Sequence, residues 1–261
     1  MIWVGLPAYN EAGGIEDLLL NIKKSLERRA LEYKIVVYND GSSDATVAKI
    51  LSLREHGIEV YLIEGKVNKG LGYALSHLLE YCINISSLED AIVIMDADNT
   101  HNPEHIYHMF DYLKDGFDLV IASRYTPYSR IRGVNPCRQF LSFAASLIFK
   151  LIFPIKGVWD YSCSYRAYTA KILRMAKEIY QDKLIEERSF ACMSEILIKL
   201  RRLDIIACEV PLILRYDRKL GTSKMDVTLT ILRSLRLILK LLFLPKLPYK
   251  KIKEFKAKYR I

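Results

Sequence analysis

The sequence predicts an α/β fold built around a mostly parallel sheet. Two observations carry this. Short apolar runs alternate with stretches of helical period, and each polar loop follows an apolar run and precedes a helix. Residues 2–6 form the first strand. It leads into Pro7-Ala8-Tyr9-Asn10-Glu11, and an amphipathic helix follows to about residue 30. Residues 34–38 form the second, ending in Asn39-Asp40-Gly41-Ser42-Ser43-Asp44. Residues 58–63 form the third, ahead of Asn68-Lys69-Gly70-Leu71-Gly72. Residues 91–95 form a wholly apolar fourth strand, too short for a helix and of the kind buried in parallel sheets. It runs into Asp96-Ala97-Asp98. Residues 118–122 form a further strand, followed by Arg124. The loops should gather at the carboxyl edge of one sheet, where open α/β folds bind ligands.

Asp96 and Asp98 would then stand together at that edge. Paired hard oxygen ligands suit Mg²⁺ or Mn²⁺ held jointly with a substrate phosphate. Arg124, just after its strand, is placed to meet a phosphate. Other strings carry less. His101-Asn102-Pro103-Glu104-His105 matches an H-x-x-E-H zinc pattern, but Pro103 should sit at the first helical position, which leaves His101 outside the helix. Gly70-Leu71-Gly72 is too short for a dinucleotide fingerprint, and no Gly-x-Ser-x-Gly elbow occurs.

These motifs, in this order, resemble the family 2 glycosyltransferases of the GT-A fold, and among them the polyprenyl-phosphate sugar synthases. The match continues through Ala122-Ser123-Arg124-Tyr125, Asp160 to Tyr168, and Arg218-Lys219-Leu220-Gly221-Thr222-Ser223-Lys224. It covers roughly residues 2 to 225. The resemblance implies a Rossmann-like sheet with peripheral amphipathic helices. It also implies transfer of a sugar from a nucleotide sugar, GDP-mannose or a UDP-sugar, to a polyprenyl phosphate. In such enzymes a side chain two residues after the second Asp can complete the metal shell; here it is Thr100. Arg218 and Lys224 would meet phosphate groups of donor and acceptor. Two departures stand out: Asn39 where many members have Asp, and Ser164 where Gly is usual.

The residues themselves support a matching division of labour. A phosphate acceptor is already an anion, so it needs cations to hold it more than it needs a base. Arg166, Arg218 and Lys224 form an electropositive set for that task. Asp160 could orient Arg166, face the acceptor, or cap a turn. Pro7, Ala8 and Tyr9 can offer backbone groups and a ring face to a base, with Asp96 and Ala97 nearby. Glu11 and Asp40 can accept hydrogen bonds from base or ribose. A rival enzyme would place sugar on a sugar hydroxyl, which needs a general base. Glu186, Glu187 and Glu195 are its candidates. A non-catalytic nucleotide-sugar or RNA-binding module is a rival of another class. Against it stand the two metal acids and the lack of aromatic residues interleaved with basic ones.

Charge and hydropathy define the rest. The net charge is +9, yet residues 201–261 hold 16 Lys and Arg against 5 Asp and Glu, so the basic part is the tail. The five cysteines are odd in number and show no Cys-x-x-Cys, which points to reduced thiols in a cytoplasmic setting. No leader pattern precedes the first strand, so no signal peptide is expected. Residues 138–153 are mostly apolar, and the polar residues Arg138, Ser142, Ser146 and Lys150 recur every four positions, a narrow stripe along one helix face. Residues 227–244 repeat the pattern with Arg233, Arg236 and Lys240. Neither gives the ~20 apolar residues that a spanning helix needs. Both are expected to lie in a membrane interface with a basic face toward lipid phosphates, or else to cover the sheet as core helices. The predicted organisation is a GT-A domain over 1–225 and an amphipathic helix with a basic tail over 226–261. The tail lysines of 246–260 would add attachment to an anionic surface. A peripheral enzyme on the cytoplasmic membrane face is therefore expected, with no nucleic-acid partner.

Overall fold

The computed structural model describes residues 1–219, 227–245, 247–259 and 261. The amino-terminal half is the predicted alternation: β1 (Ile2–Ala8), α1 (Ile15–Glu27), β2 (Tyr33–Asp40), α2 (Thr46–Glu55), β3 (Val60–Gly65), α3 (Leu71–Ile85) and β4 (Ala91–Ile94). The second half continues with α4 (His105–Lys114), β5 (Leu119–Ser123), β6 (Arg130–Arg132), α5 (Pro136–Ile152), β7 (Arg166–Thr169), α6 (Ala170–Tyr180), α7 (Cys192–Arg201), β8 (Ala207–Pro211), β9 (Ile213–Arg215), α8 (Val227–Leu242) and α9 (Tyr249–Tyr259).

Seven strands form one sheet in the order β3-β2-β1-β4-β7-β5-β8. Every pairing in it is parallel except those of β7, which runs antiparallel between β4 and β5. β4 and β5 are buried at every residue, which is why their sequences lack alternation. β1 and β2 are longer than their apolar runs. Pro7, Ala8, Asn39 and Asp40 still belong to strands, because the ladder pairs Pro7 with Tyr38 and Ala8 with Asn39. β6 and β9 form a separate two-stranded parallel sheet.

The helices outside the sheet correct one expectation. Asn135 caps α5 by accepting from the Cys137 amide, and Pro136 opens the helix. The polar stripe of α5 then faces inward. Ser146 is buried and accepts from the Tyr161 amide. Lys150 donates to the carbonyls of Ile155 and Val158 at 2.7 and 2.6 Å. Loop carbonyls there have no strand partner, so an ammonium satisfies them. The apolar face is left outward: Phe140 is 68% exposed and Leu151 73%, with Phe143, Leu147 and Ile148 between them. The stripe therefore does not turn a basic face outward; the outward face of α5 is apolar.

α8 contacts α5 and α7. It buries Leu237, Ile238 and Leu241 against them and exposes Leu232, Leu235, Leu239 and, just past its end, Phe243. α9 packs on α6. Two of the tail lysines are engaged there, Lys256 with Asp204 and Lys258 with Glu178, while Lys250, Lys251 and Lys253 are exposed. The tail thus has fewer lysines available than its sequence implies. Among the described residues no helix is long and apolar enough to cross a membrane.

Candidate active site

The carboxyl ends of β1, β2 and β4 open onto a cleft of about 360 Å³. Pro7, Ala8, Tyr9, Glu11, Asp40, Asp96, Ala97, Asp98, Thr100 and Arg124 line it, so ten of the residues singled out in the sequence converge there. Asp98 is buried, whereas Asp96 is about one-third exposed. The turn that carries them is held by its own side chains. Asn99 adopts a left-handed φ of 59°, which Asn tolerates better than most residues. The Thr100 hydroxyl and amide donate to Asp98 Oδ1 at 2.6 and 3.2 Å.

The structure assigns His101 a part that its zinc-like spacing did not show. The Asp96 amide approaches His101 Nδ1 at 3.3 Å, and Nε2 faces the Asp96 carboxylate at 3.9 Å. The ring is stacked on Tyr165, with centroids 4.9 Å apart. His101 does precede α4, which begins at His105. Among the described residues no group of three His, Cys, Asp or Glu could hold a metal ion. Asp96 and Asp98 with the Thr100 hydroxyl still fit a hard divalent ion, provided that phosphate oxygens complete its shell. The Lys219 ammonium lies 2.7 Å from Asp98 Oδ2, direct evidence that this buried carboxylate takes a cationic partner. Burial works to raise the Asp98 carboxyl, but Lys219, His101 and Thr100 outweigh it and hold the carboxyl below the usual range.

Lys219 was missed in the sequence reading, which favoured its neighbour. Arg218 instead lies outside the cleft, at a surface hollow with Arg28, Asn102 and Glu104. The one-residue offset arises because Tyr216–Arg218 form a single 3₁₀ turn that aims Lys219, not Arg218, at the acids. Lys224 falls outside the described residues. Arg166 needs correction too. It is fully buried in β7, and its guanidinium donates to the carbonyls of Met193 and Tyr161 at 2.7 and 2.9 Å. It ties the sheet to α7 and does not line the cleft. Asp160 is buried as well and grips Arg124, while accepting from the amides of Ser162 and Cys163. Of its three possible parts the turn cap is present; the Arg166 guanidinium is bonded to carbonyls and adds only its charge at a distance, and Asp160 does not line the cleft.

Asp40 lines the cleft, but its carboxylate accepts from the amides of Lys69 and Gly70. It shapes the loop that leads to α3. Asn39 accepts from the Ser42 amide, a bond that needs only its carbonyl oxygen. The bases of the rival reaction are also accounted for. Glu195 is fully buried, Glu186 is paired with Lys199 and Glu187 accepts from the Ser189 amide, and none of the three lines the cleft.

A second cavity of about 170 Å³ lies between α5 and α8. Its lining is largely apolar and includes Val134, Leu141, Phe149 and Ile231. It meets the first cleft at Arg124, Arg138, Ser162, Phe190, Leu214 and Tyr216, which line both. Arg138 donates to the Tyr216 hydroxyl at 3.2 Å, and Arg124 donates to the Ser142 hydroxyl at 3.0 Å. Arg138 and Ser142 had been read only as part of a helix stripe.

The model of the family described as Glycosyl transferase family 2 matches residues 3–177. The chain belongs to this family. Curated relatives include a dolichol-phosphate mannosyltransferase of Pyrococcus furiosus, 29% identical over 195 residues that make up 74% of this chain and 51% of that one. The chain thus spans about half the length of this relative. An undecaprenyl-phosphate mannosyltransferase of Micrococcus luteus is 29% identical over 85% of this chain and 86% of its own. A polyprenol monophosphomannose synthase of Mycolicibacterium smegmatis is 28% identical over 85% and 79%. Among solved structures, a glucosyl-3-phosphoglycerate synthase from Mycobacterium tuberculosis, in complex with Mn²⁺, UDP and glucosyl-3-phosphoglycerate, is similar with a TM-score of 0.62. The likeness covers 93% of this chain and 78% of that one at 18% identity, and it is a likeness of fold. This family 2 glycosyltransferase accordingly has the GT-A architecture that its loop motifs implied.

Proposed function

We propose that this family 2 glycosyltransferase moves one hexose, of mannose or glucose type, from a nucleotide sugar to a polyprenyl phosphate at the cytoplasmic membrane face. The observation that carries the reading is the junction of the two cavities. An acid-lined cleft and an apolar cavity between α5 and α8 meet at Arg124 and Arg138. A phosphate on an isoprenoid tail matches that order of surfaces: anion at the arginines, chain along the apolar wall, lipid beyond the exposed faces of α5 and α8. The names of the three curated relatives support the same acceptor class. The five cysteines are unpaired, in keeping with a reducing compartment.

In this reading an acceptor phosphate oxygen attacks the anomeric carbon. The bond from that carbon to the diphosphate oxygen breaks, and the electron pair leaves with the nucleoside diphosphate. A single displacement inverts the anomeric centre. Asp96 and Asp98 would hold Mg²⁺ or Mn²⁺, which would neutralise charge on the leaving diphosphate. Pro7, Ala8, Tyr9 and Glu11 form the wall that would receive the nucleotide. Lys219 stands where it can move from Asp98 to donor phosphate, and Lys224, five residues further along the sequence, would join it. No side chain need act as general base, because the acceptor is already ionised. α8 and α9, within the unit 226–261, would attach the enzyme to the surface, helped by α5.

The test is to supply labelled GDP-mannose, or UDP-glucose, together with vesicles carrying a polyprenyl phosphate. A labelled glycolipid that depends on protein, metal and lipid phosphate supports the reading. Label transferred only to a free sugar or glycan hydroxyl contradicts it.

A further inference from the structure

Behind the acceptor cavity lies a charge cluster that the proposed chemistry does not use. Lys199 is 1% exposed, and its ammonium is 2.8 Å from Glu195 and 3.1 Å from Glu186. Lys240, projecting from α8, is 3.0 Å from the same Glu186 oxygen and 3.8 Å from Glu195. Two ammonium groups and two carboxylates make the cluster neutral only when Lys240 is seated. Glu195 also accepts from the amides of Glu186 and Glu187, at 2.9 and 2.8 Å, and so fixes the start of the loop 186–190.

That loop is pressed against the donor side of the cleft. The Arg188 carbonyl accepts from the Gly72 amide at 3.0 Å, at the first turn of α3. Gly72 is required there, since a Cβ would overlap the Glu187 carbonyl oxygen. Just before α3, Gly70 donates to Asp40, and Gly70 and Leu71 line the acid-lined cleft. Phe190, at the other end of the loop, lines both cavities. A continuous chain of polar contacts therefore joins α8 to the donor cleft.

We infer that Lys240 is a positioning residue, which couples the seating of α8 to the placement of the loop 186–190 and, through it, to the amino end of α3. The inference deepens the membrane reading, on which its vesicle arm rests. When α8 is pressed to the body, Lys240 completes the cluster and the loop is held. When α8 lifts, Glu186 loses one of its two ammonium partners, and the hold on Glu187 and Gly72 weakens. Contact with a lipid surface would thus be felt at the donor site before any acceptor arrives.

Hydrogen exchange at the Glu187 and Gly72 amides tests this in the intact protein. Without vesicles, Lys240→Met should speed both by roughly two- to five-fold, the range of a half-exposed ion pair, and Lys240→Arg should match the parent. Unchanged exchange in Lys240→Met, or an equal change in Lys240→Arg, overturns the inference. Should Lys240→Met lose helical content, Lys240→Gln removes the same charge while leaving the Lys199–Glu186 pair in place, and is read in the same way. On phosphatidylglycerol vesicles the parent should slow at both amides, while Lys240→Met pellets equally but does not slow. Equal slowing in both proteins overturns the coupling. A parent that does not pellet overturns the membrane reading instead, and the vesicle-free comparison still decides the part played by Lys240.

Discussion

Asp160 holds one edge of Arg124 with both its oxygens: Nε donates to Oδ2 at 2.7 Å and Nη2 to Oδ1 at 2.6 Å. The carboxylate is fully buried, and the guanidinium reaches on to Ser142 on α5 and Ser162 at the junction of the cavities. Burial pushes the Asp160 carboxyl up, but the facing Arg124 charge outweighs it and holds the carboxyl below its ordinary range. Two consequences follow, one for stability and one for the acceptor.

Removing the carboxylate leaves Arg124 without its counter-charge. Asp160→Asn should cost about 3–5 kcal/mol, the usual penalty for breaking a buried pair from one side. Because the folded pKa is depressed, this stabilisation is present above the unfolded value of about 4 and is lost as pH falls below it. Urea melts from pH 7 to pH 3 should show a shallower acid limb in Asp160→Asn than in the parent. Parallel limbs in the two proteins would mean that the pair does not stabilise the fold.

Arg138 should matter to the acceptor and little to the donor. It meets both cavities and leans on the Tyr216 hydroxyl. Arg138→Ala should raise the KM for polyprenyl phosphate by roughly 10- to 100-fold, the value of a charge-assisted hydrogen bond of about 1.5–3 kcal/mol. Nucleoside-diphosphate affinity, read by calorimetry, should stay within about two-fold of the parent. Equal losses in both would move Arg138 to the donor side.

The exposed face of α5 should supply membrane attachment without supplying stability. Phe140 and Leu151 are 68% and 73% exposed, so Phe140→Ser with Leu151→Ser removes little from the core. Their insertion into lipid would be worth about 2 kcal/mol each. Vesicle co-sedimentation of the double variant should fall well over ten-fold while the melting temperature holds. Deletion from residue 226 onward should act through both charge and insertion, yet it also strips Leu237, Ile238 and Leu241 from the body, so its melting temperature should drop.

Much of the fold was legible because it is written in local patterns. The alternation of short apolar runs with helices named β1 to β4 nearly in full, and Asp-x-Asp after β4 located the cleft. Antiparallel β7 was not legible. Arg166 reads as a phosphate ligand until Met193 and Tyr161 are known to supply carbonyls to its guanidinium inside a buried strand. Nor was the offset between Arg218 and Lys219, which depends on one 3₁₀ turn. The stripe on α5 was seen, but its direction was not, because periodicity gives a face and cannot say which side holds loop carbonyls in need of donors. Lys224 lies outside the described residues, and its part in the account rests on the loop motif alone.

Asp98 links these parts, being the buried acid of the cleft and the partner of Lys219. Asp98→Ala should leave the fold intact and lower transfer by about 10²- to 10³-fold or more, the scale of losing an electrostatic contact to a developing charge. Mn²⁺ binding in the presence of nucleoside diphosphate, followed by electron paramagnetic resonance, should fall with it. Retained Mn²⁺ affinity would place the ion elsewhere.

The central claim is that the acceptor is a lipid phosphate placed between Arg124 and the α5–α8 cavity. The most direct measurement is mass spectrometry of the lipid formed from nucleotide sugar and polyprenyl-phosphate vesicles, with a matched polyprenol lacking phosphate as comparison. The account predicts one hexose joined through the phosphate, no product from the free alcohol, and loss of product in Arg138→Ala at low lipid concentration. Sugar added equally to the free polyprenol, or nucleoside diphosphate released with no lipid product under any nucleotide sugar, would contradict it.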